Sequence, residues 1–226
     1  MRERRPLVCL VSDRRQLCPG CDDERARQCL ISQVREAVIA GVDLLQIRER
    51  DLEAGSLAAL VSGAVSVARG TPTRVIVNDR LDVALAAGAD GVHLRGDSVA
   101  PAAARRLAPR GFLVGRSVHS ADEAAAIAAD VDYLIAGTVF PSASKSQGSK
   151  WLGEAGLAAV VRAAGVPVLA IGGVTPDVVS RVAAAGAAGF AAIGIFLGET
   201  LPCRSVALSH IVEAARARFD SVKTAS

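Results

Sequence analysis

The stretch RVIVNDRLDVALAAGADGVHLRGDSVAPAAARRLAPRGFLVGRSVHSADEAAAIAAD, residues 74–130, decides how the chain folds. It states one unit three times. A short run of Val, Ile and Leu is followed by a polar or glycine-containing tip, and then by an alanine-rich helical stretch. Runs of this length, apolar on both sides and rich in branched residues, are what buried parallel strands require. Outward from this segment the same unit continues to both ends. It predicts strands near 7–12, 42–48, 74–78, 89–94, 112–118, 131–137, 166–172 and 189–195. Helices are expected near 24–40, 53–69, 80–87, 101–108, 120–129, 153–164, 176–185 and 201–219.

Helix punctuation agrees with this alternation. Gly41, Gly88, Gly165 and Gly186 each follow a helical stretch, where a left-handed residue ends the helix. Ser120 and Glu123 have capping-box spacing, and Thr175-Pro176 sets a capping hydroxyl before a proline at the first helical position. Eight strand–helix units in 226 residues predict a single (β/α)8 TIM barrel over residues 1–226, with its core at about 7–200 and a C-terminal helix at 201–219. A doubly wound sheet would want a glycine-rich phosphate turn after the first strand. Here that strand ends in Val-Ser-Asp-Arg-Arg.

Composition fits such a barrel. Hydrophobic residues make up 51% and aromatics only 3%, so the core is built of small aliphatic side chains. The net charge of +3 is nearly balanced, and the arginines are scattered rather than set in a basic stripe with aromatics, which argues against nucleic acid as a partner. Leu7–Val11 is too short an apolar run for a signal-peptide core or a membrane span. The five cysteines are odd in number and lack the spacing of a secreted disulfide framework, so a reduced, cytoplasmic protein with no membrane partner is expected. Cys18-Pro-Gly-Cys21 has no thioredoxin context and reads as a loop feature.

Active sites of this fold lie at the C-terminal ends of the strands. Those ends carry Ser12 and Asp13, then Gln46, Arg48 and Arg50, then Asn78 and Asp79, His93, Ser117 with His119, Thr138 with Lys145 beyond it, Gly172 and Gly173, and Gly194. A barrel needs no such concentration of polar groups for stability. Gln46, Arg48 and Arg50 are spaced by two and share a face while the chain stays extended; as a mere surface loop, Glu49 and Asp51 would pair the two arginines. Gly172-Gly173 before a helix, with Gly194-Ile195 after the eighth strand, marks the recurrent phosphate corner of the fold. His119, with Ser117 on the same face, is the candidate acid/base.

These residues resemble the thiamine phosphate synthase superfamily, which includes the TenI-type thiazole tautomerases. The matching pieces are Val-Ser-Asp at 11–13, Gln-Ile-Arg-Glu-Arg at 46–50, Val-Asn-Asp-Arg at 77–80 and Ala-Asp-Gly-Val-His-Leu at 89–94. They continue with Val-Gly-Arg-Ser-Val-His-Ser at 114–120, Pro-Ser-Ala-Ser-Lys at 141–145 and Ala-Ile-Gly-Gly-Val at 170–174. The resemblance implies an enzyme of thiamine biosynthesis acting on a phosphorylated thiazole, in one of two ways. A synthase displaces pyrophosphate from a pyrimidine and joins that carbon to the thiazole nitrogen. For it, the resemblance assigns the pyrimidine to Gln46, the pyrophosphate to Arg48, Arg50, Asn78, Ser117 and Lys145, and magnesium to Asp79 and a second aspartate after Val-His-Leu. A tautomerase moves a proton within a carboxylated thiazole phosphate. It needs no cofactor, and it uses His119 as acid/base and the glycine loops for the phosphate.

The chain departs from the synthase pattern at the second metal ligand, where Ser98 stands and Asp97 is one residue away. The loss of a carboxylate there favours the tautomerase reading, with His119, Ser117 and Arg48 as the catalytic set, over the synthase. A non-catalytic paralogue that binds or senses a thiamine intermediate is a further alternative, opposed by the presence of His119, Arg48, Asp79 and Lys145. A Schiff-base aldolase is opposed by the lack of a strand lysine. A homo-oligomer is compatible with the sequence but not specified by it.

Overall fold

The computed structural model describes residues 5–141, 151–197 and 208–223. Eight strands form the sheet: β1 Leu7–Val11, β2 Leu44–Ile47, β3 Arg74–Asn78, β4 Gly91–Leu94, β5 Leu113–Val118, β6 Tyr133–Gly137, β7 Val168–Ile171 and β8 Gly189–Ala192. They pair in sequence order, all in parallel, and β8 returns to β1, so the sheet is a closed barrel. The helices are α1 Arg14–Leu17, α2 Asp23–Ile39, α3 Ala54–Ala68, α4 Leu81–Ala86, α5 Pro101–Leu107, α6 Ala121–Ile127, α7 Gly153–Ala164, α8 Val179–Ala184 and α9 Leu208–Lys223. The expected (β/α)8 barrel is what the chain forms.

Alternation along each strand creates two apolar layers. In β1, Val8 and Leu10 face the helices while Cys9 and Val11 face the barrel axis. In β2, Leu45 and Ile47 face outward and Leu44 inward. The inner layer, which includes Ile76, Tyr133, Ile135 and Leu169, fills the barrel. Tyr133 is large for that space, and the neighbouring strand makes room with glycine: a Cβ on Gly115 would lie 2.2 Å from Tyr133 Cζ.

The N-terminal rim is pinned by one repeated device. Asp43, Asp90 and Asp132 accept the second-residue amides of β1, β3 and β5, those of Val8, Val75 and Val114, at 2.9, 2.8 and 2.7 Å. Each also holds an arginine: Arg216, Arg74 and Arg105 respectively. This accounts for several of the scattered arginines and leaves the opposite rim free for chemistry.

Helix ends follow the expected signals with two differences. Gly165 is the left-handed C-cap of α7 at φ 63°, and Ser120 Oγ accepts the Glu123 amide at 3.1 Å. The Glu123 carboxylate, however, reaches the His119 amide at 2.7 Å rather than completing a capping box. Thr175 makes no side-chain cap; a 3₁₀ turn at Pro176–Val178 leads into α8 instead. The start of the expected 201–219 helix lies outside the described residues, and α9 runs over Leu208–Lys223. The short α1 was not anticipated; its N-cap is Asp13, whose carboxylate accepts the Gln16 amide at 3.0 Å.

Candidate active site

Because all strands are parallel, their C-terminal ends share one rim, and several of the residues expected there lie on it. Gln46 stands at the end of β2 with its side chain toward the axis, only 3% exposed. Its Nε2 donates to Asn78 Oδ1 at 3.0 Å across the β2–β3 pairing, and its Oε1 is buried without a partner among the described residues. An unpaired buried acceptor costs stability unless a donor arrives. The amide pair is therefore suited to reading a donor on a ligand.

The β2 strand stops at Ile47, so Arg48 and Arg50 rise from the loop that follows. Their partners differ from the surface-loop expectation. Glu49 and Asp51 pair with Arg14, not with Arg48 or Arg50. Arg14 is fully buried; its Nη1 donates to Glu49 Oε2 at 3.0 Å and its Nη2 to Asp51 Oδ2 at 2.8 Å. Ser12 Oγ donates to Glu49 Oε1 at 2.5 Å and accepts the Arg48 amide at 2.9 Å. Burial pushes the Glu49 carboxyl upward against these hydrogen bonds, while the Arg14 guanidinium holds Asp51 well below the usual carboxylate range. This network clamps the first and second strand ends together. It leaves Arg48 and Arg50 with no ion pair to any described residue, and Arg48 is half-buried. The Arg14–Glu49 pair was not legible from sequence, since 35 residues separate the partners.

The end of β3 turns sharply at Asp79, which has φ 67°. Its carboxylate is engaged on both oxygens: Ser98 Oγ donates to Oδ1, and Arg95 Nη1 lies 3.5 Å from Oδ2. Arg95 also holds Asp97, whose side chain is 70% exposed. Ser98 Oγ accepts the Arg95 amide at 2.8 Å, which fixes the turn. Arg50, Asn78, Asp79 and Arg95 line one pocket. Arg95 was missed as a site residue; the signal available was its position directly after Val92-His93-Leu94.

The histidines separate into two environments. His93 is 2% exposed, stacks on Tyr133 at 5.7 Å between ring centroids, and contacts Ser117 Oγ through Nε2 at 2.9 Å. Burial, helped by the Arg116 charge, pushes its pKa down to about 3, so it is a neutral imidazole. Ser117 is therefore the neighbour of His93, and the expected pairing of Ser117 with His119 is not what the structure shows. The strand ends at Val118, which puts His119 beyond the strand and in solvent. His119 Nδ1 is hydrogen-bonded to the Gly137 carbonyl. A carbonyl only accepts, so Nδ1 is the donor in this contact and Nε2 is the ring nitrogen left for a ligand.

At the phosphate corner, Gly172 and Gly173 have φ 94° and 63°. A Cβ on Gly172 would lie 2.1 Å from Thr138 Cγ2, and one on Gly173 would lie 2.3 Å from the Pro141 carbonyl oxygen. The glycines thus also serve close packing of the β6 and β7 loops. Gly194 and Ile195 form a 3₁₀ turn after β8, and nothing lies within 4 Å of a Cβ built on Gly194. Lys145 falls outside the described residues. Away from the site, Cys18 and Cys21 form a disulfide, with Cys29 Sγ 3.4 Å from Cys18 Sγ, where reduced thiols were expected. No described helix is long and apolar enough to cross a membrane.

Residues 17–196 match the family model described as thiamine monophosphate synthase. A thiamine-phosphate synthase of Methanoregula boonei is 41% identical over 192 residues, covering 84% of this chain and 85% of the relative. One of Anaeromyxobacter dehalogenans is 41% identical over 189 residues, covering 83% and 85%. Among solved structures, a thiamine phosphate pyrophosphorylase of Pyrococcus furiosus superposes with a TM-score of 0.79 at 29% identity, covering 97% of this chain and 98% of that one. A 3-hexulose-6-phosphate synthase, at 18% identity and TM-score 0.66, shares the barrel fold alone.

Proposed function

Since the chain belongs to the thiamine monophosphate synthase family, we propose that it is a thiamine-phosphate synthase, a transferase rather than the tautomerase that the loss of the second carboxylate favoured. The relatives that share about two-fifths of their residues with it carry the synthase name. The observation that carries the reading in the site itself is the pair Arg48 and Arg50. Both lack an ion pair to any described residue, and Arg50 lines one pocket with Asn78, the partner of Gln46.

The reaction breaks the carbon–oxygen bond between a pyrimidine methylene and pyrophosphate, and forms a bond from that carbon to the thiazole nitrogen. Negative charge grows on the departing pyrophosphate, and fixed positive groups that meet it there lower the barrier. Arg48 and Arg50 are suited to that task, with Ser117 Oγ and Asn78 adding hydrogen bonds. The neutral His93 beneath Ser117 lets the hydroxyl be oriented without adding a charge. Gln46, with its unsatisfied Oε1, is the group for the pyrimidine. Thiazole phosphate is assigned to the corner at Gly172–Gly173 and Gly194–Ile195.

The magnesium implied by the resemblance has a poor ligand set in this chain. Magnesium prefers an octahedral oxygen shell that usually includes one or two carboxylates. Asp79 is the one carboxylate at the expected place; Ser98 donates to one of its oxygens and the Arg95 guanidinium lies 3.5 Å from the other. Asp97 turns to solvent and pairs with Arg95.

The test is incubation of purified protein with the pyrimidine pyrophosphate and the thiazole phosphate, with thiamine phosphate and pyrophosphate as products. Failure to form thiamine phosphate under any metal condition overturns the synthase reading. One observation favours the second reading, tautomerisation of a carboxylated thiazole phosphate: the Gly137 carbonyl holds His119 through Nδ1 and leaves Nε2 to face a ligand. On that reading His119→Ala lowers turnover by about 10²- to 10⁴-fold; on the synthase reading it leaves coupling nearly unchanged.

A further inference from the structure

We propose that Arg95, together with Arg48 and Arg50, forms a metal-independent binding site for the pyrophosphate group, with Arg95 supplying the charge that a carboxylate-held cation would otherwise bring. The inference rests on the synthase reading for its ligand. It rests on the geometry of this rim for its mechanism.

Charge accounting leads to it. A magnesium ion held by one further carboxylate would add a single net positive charge at this turn. Neutral Ser98 and cationic Arg95 add the same once an anion takes Arg95 from its exposed partner Asp97. Ser98 also closes the turn around Asp79 by bonding both the Asp79 carboxylate and the Arg95 amide. The turn is therefore closed by hydrogen bonds from its own residues.

The three guanidinium groups lie close enough to oppose one another. Burial, then the Arg50 charge, and further the Arg95 charge all disfavour the charged form of Arg48. Asp13 and Glu49 offset this only in part, since Glu49 is committed to Arg14 and Ser12. An anion entering the pocket lined by Arg50, Asn78, Asp79, Arg80 and Arg95 meets Arg50 and Arg95 and so offsets the charges that oppose Arg48. Arg95 is available for this role. Its side chain is 42% exposed, and its partner Asp97 is 70% exposed. An exposed pair of this kind contributes little and exchanges readily for a phosphate. A guanidinium also matches two phosphate oxygens at once, so each contact fixes orientation as well as charge. Arg80, in the same rim, is instead held by Asp82 at 2.6 Å.

The experiment is isothermal titration of the full chain with inorganic pyrophosphate, once in EDTA and once in excess magnesium, with inorganic phosphate as the control anion. The native protein is expected to bind pyrophosphate in EDTA, with magnesium changing the affinity by less than about fivefold, and to prefer it to phosphate. Arg95→Ala and Arg95→Gln, shown to be folded by circular dichroism, are expected to weaken metal-free binding by about tenfold or more. The double variant Arg95→Ala with Ser98→Asp is expected to recover affinity only when magnesium is present. Native binding that needs magnesium, a preference for phosphate, or an Arg95→Ala loss under about fivefold overturns the proposal. The coupling assay separates this from the activity. Metal-free pyrophosphate binding without thiamine phosphate formation keeps the site and removes the synthase reading. Coupling with strictly magnesium-dependent binding does the reverse.

Discussion

Acidification should act on this barrel through His93, and the structure sets the size of the effect. The imidazole is 2% exposed, stacked on Tyr133 and bonded to Ser117, and its pKa falls from 6.5 to about 3, chiefly through burial and secondarily through Arg116. In the unfolded chain it protonates near 6.5; in the folded chain it stays neutral until about 3. The unfolded state therefore binds the extra proton across that window. The folded state has its full advantage above 6.5 and loses it as pH falls toward 3. Each pH unit inside the window is worth about 1.4 kcal/mol. Between pH 7 and 5 the loss is about 2 kcal/mol, and across the whole window on the order of 5 kcal/mol. Carboxylates also titrate at low pH, so the readout is a difference. Urea unfolding of the native protein and of His93→Gln, which keeps a polar group toward Ser117 but does not titrate, is compared at pH 7 and pH 5. The native protein should lose about 2 kcal/mol more than the variant. Equal losses in the two proteins would show that His93 titrates normally, and would refute the account of a neutral, desolvated imidazole under the site.

Arg14→Met should destabilise the barrel by about 3–5 kcal/mol in denaturant unfolding, because it leaves Glu49 buried with only Ser12 and a backbone amide for partners; a loss below about 1 kcal/mol would mean the carboxylate finds water. Gly115→Ala should cost about 1–3 kcal/mol by the same measurement, since its Cβ would overlap the Tyr133 ring. Gly194→Ala meets open space and should leave the melting temperature unchanged while weakening thiazole phosphate binding in a titration; unchanged binding would remove Gly194 from the phosphate corner.

The eight-fold alternation of short aliphatic runs with alanine-rich stretches was sufficient for the barrel, because parallel strands covered by helices admit few other arrangements. Strand-end positions were legible for the same reason: parallel pairing sends Gln46, Asn78, Asp79 and Ser117 to one rim regardless of their distance in sequence. What each of these side chains does there was not legible. Ser117 and His119 are two apart and were expected to act together, but β5 ends between them, so Ser117 turns to His93 across the β4–β5 pairing. Glu49 and Asp51 sit beside Arg48 and Arg50 in sequence, yet the fully buried Arg14 takes both carboxylates, because a buried charge must find its partner wherever the fold delivers one. Thr175 had the sequence of a cap, and a 3₁₀ turn took its place. Ser98 was visible as a missing carboxylate. That Arg95 stands against Asp79 in its stead depends on how one turn closes, and only the tertiary structure decided it.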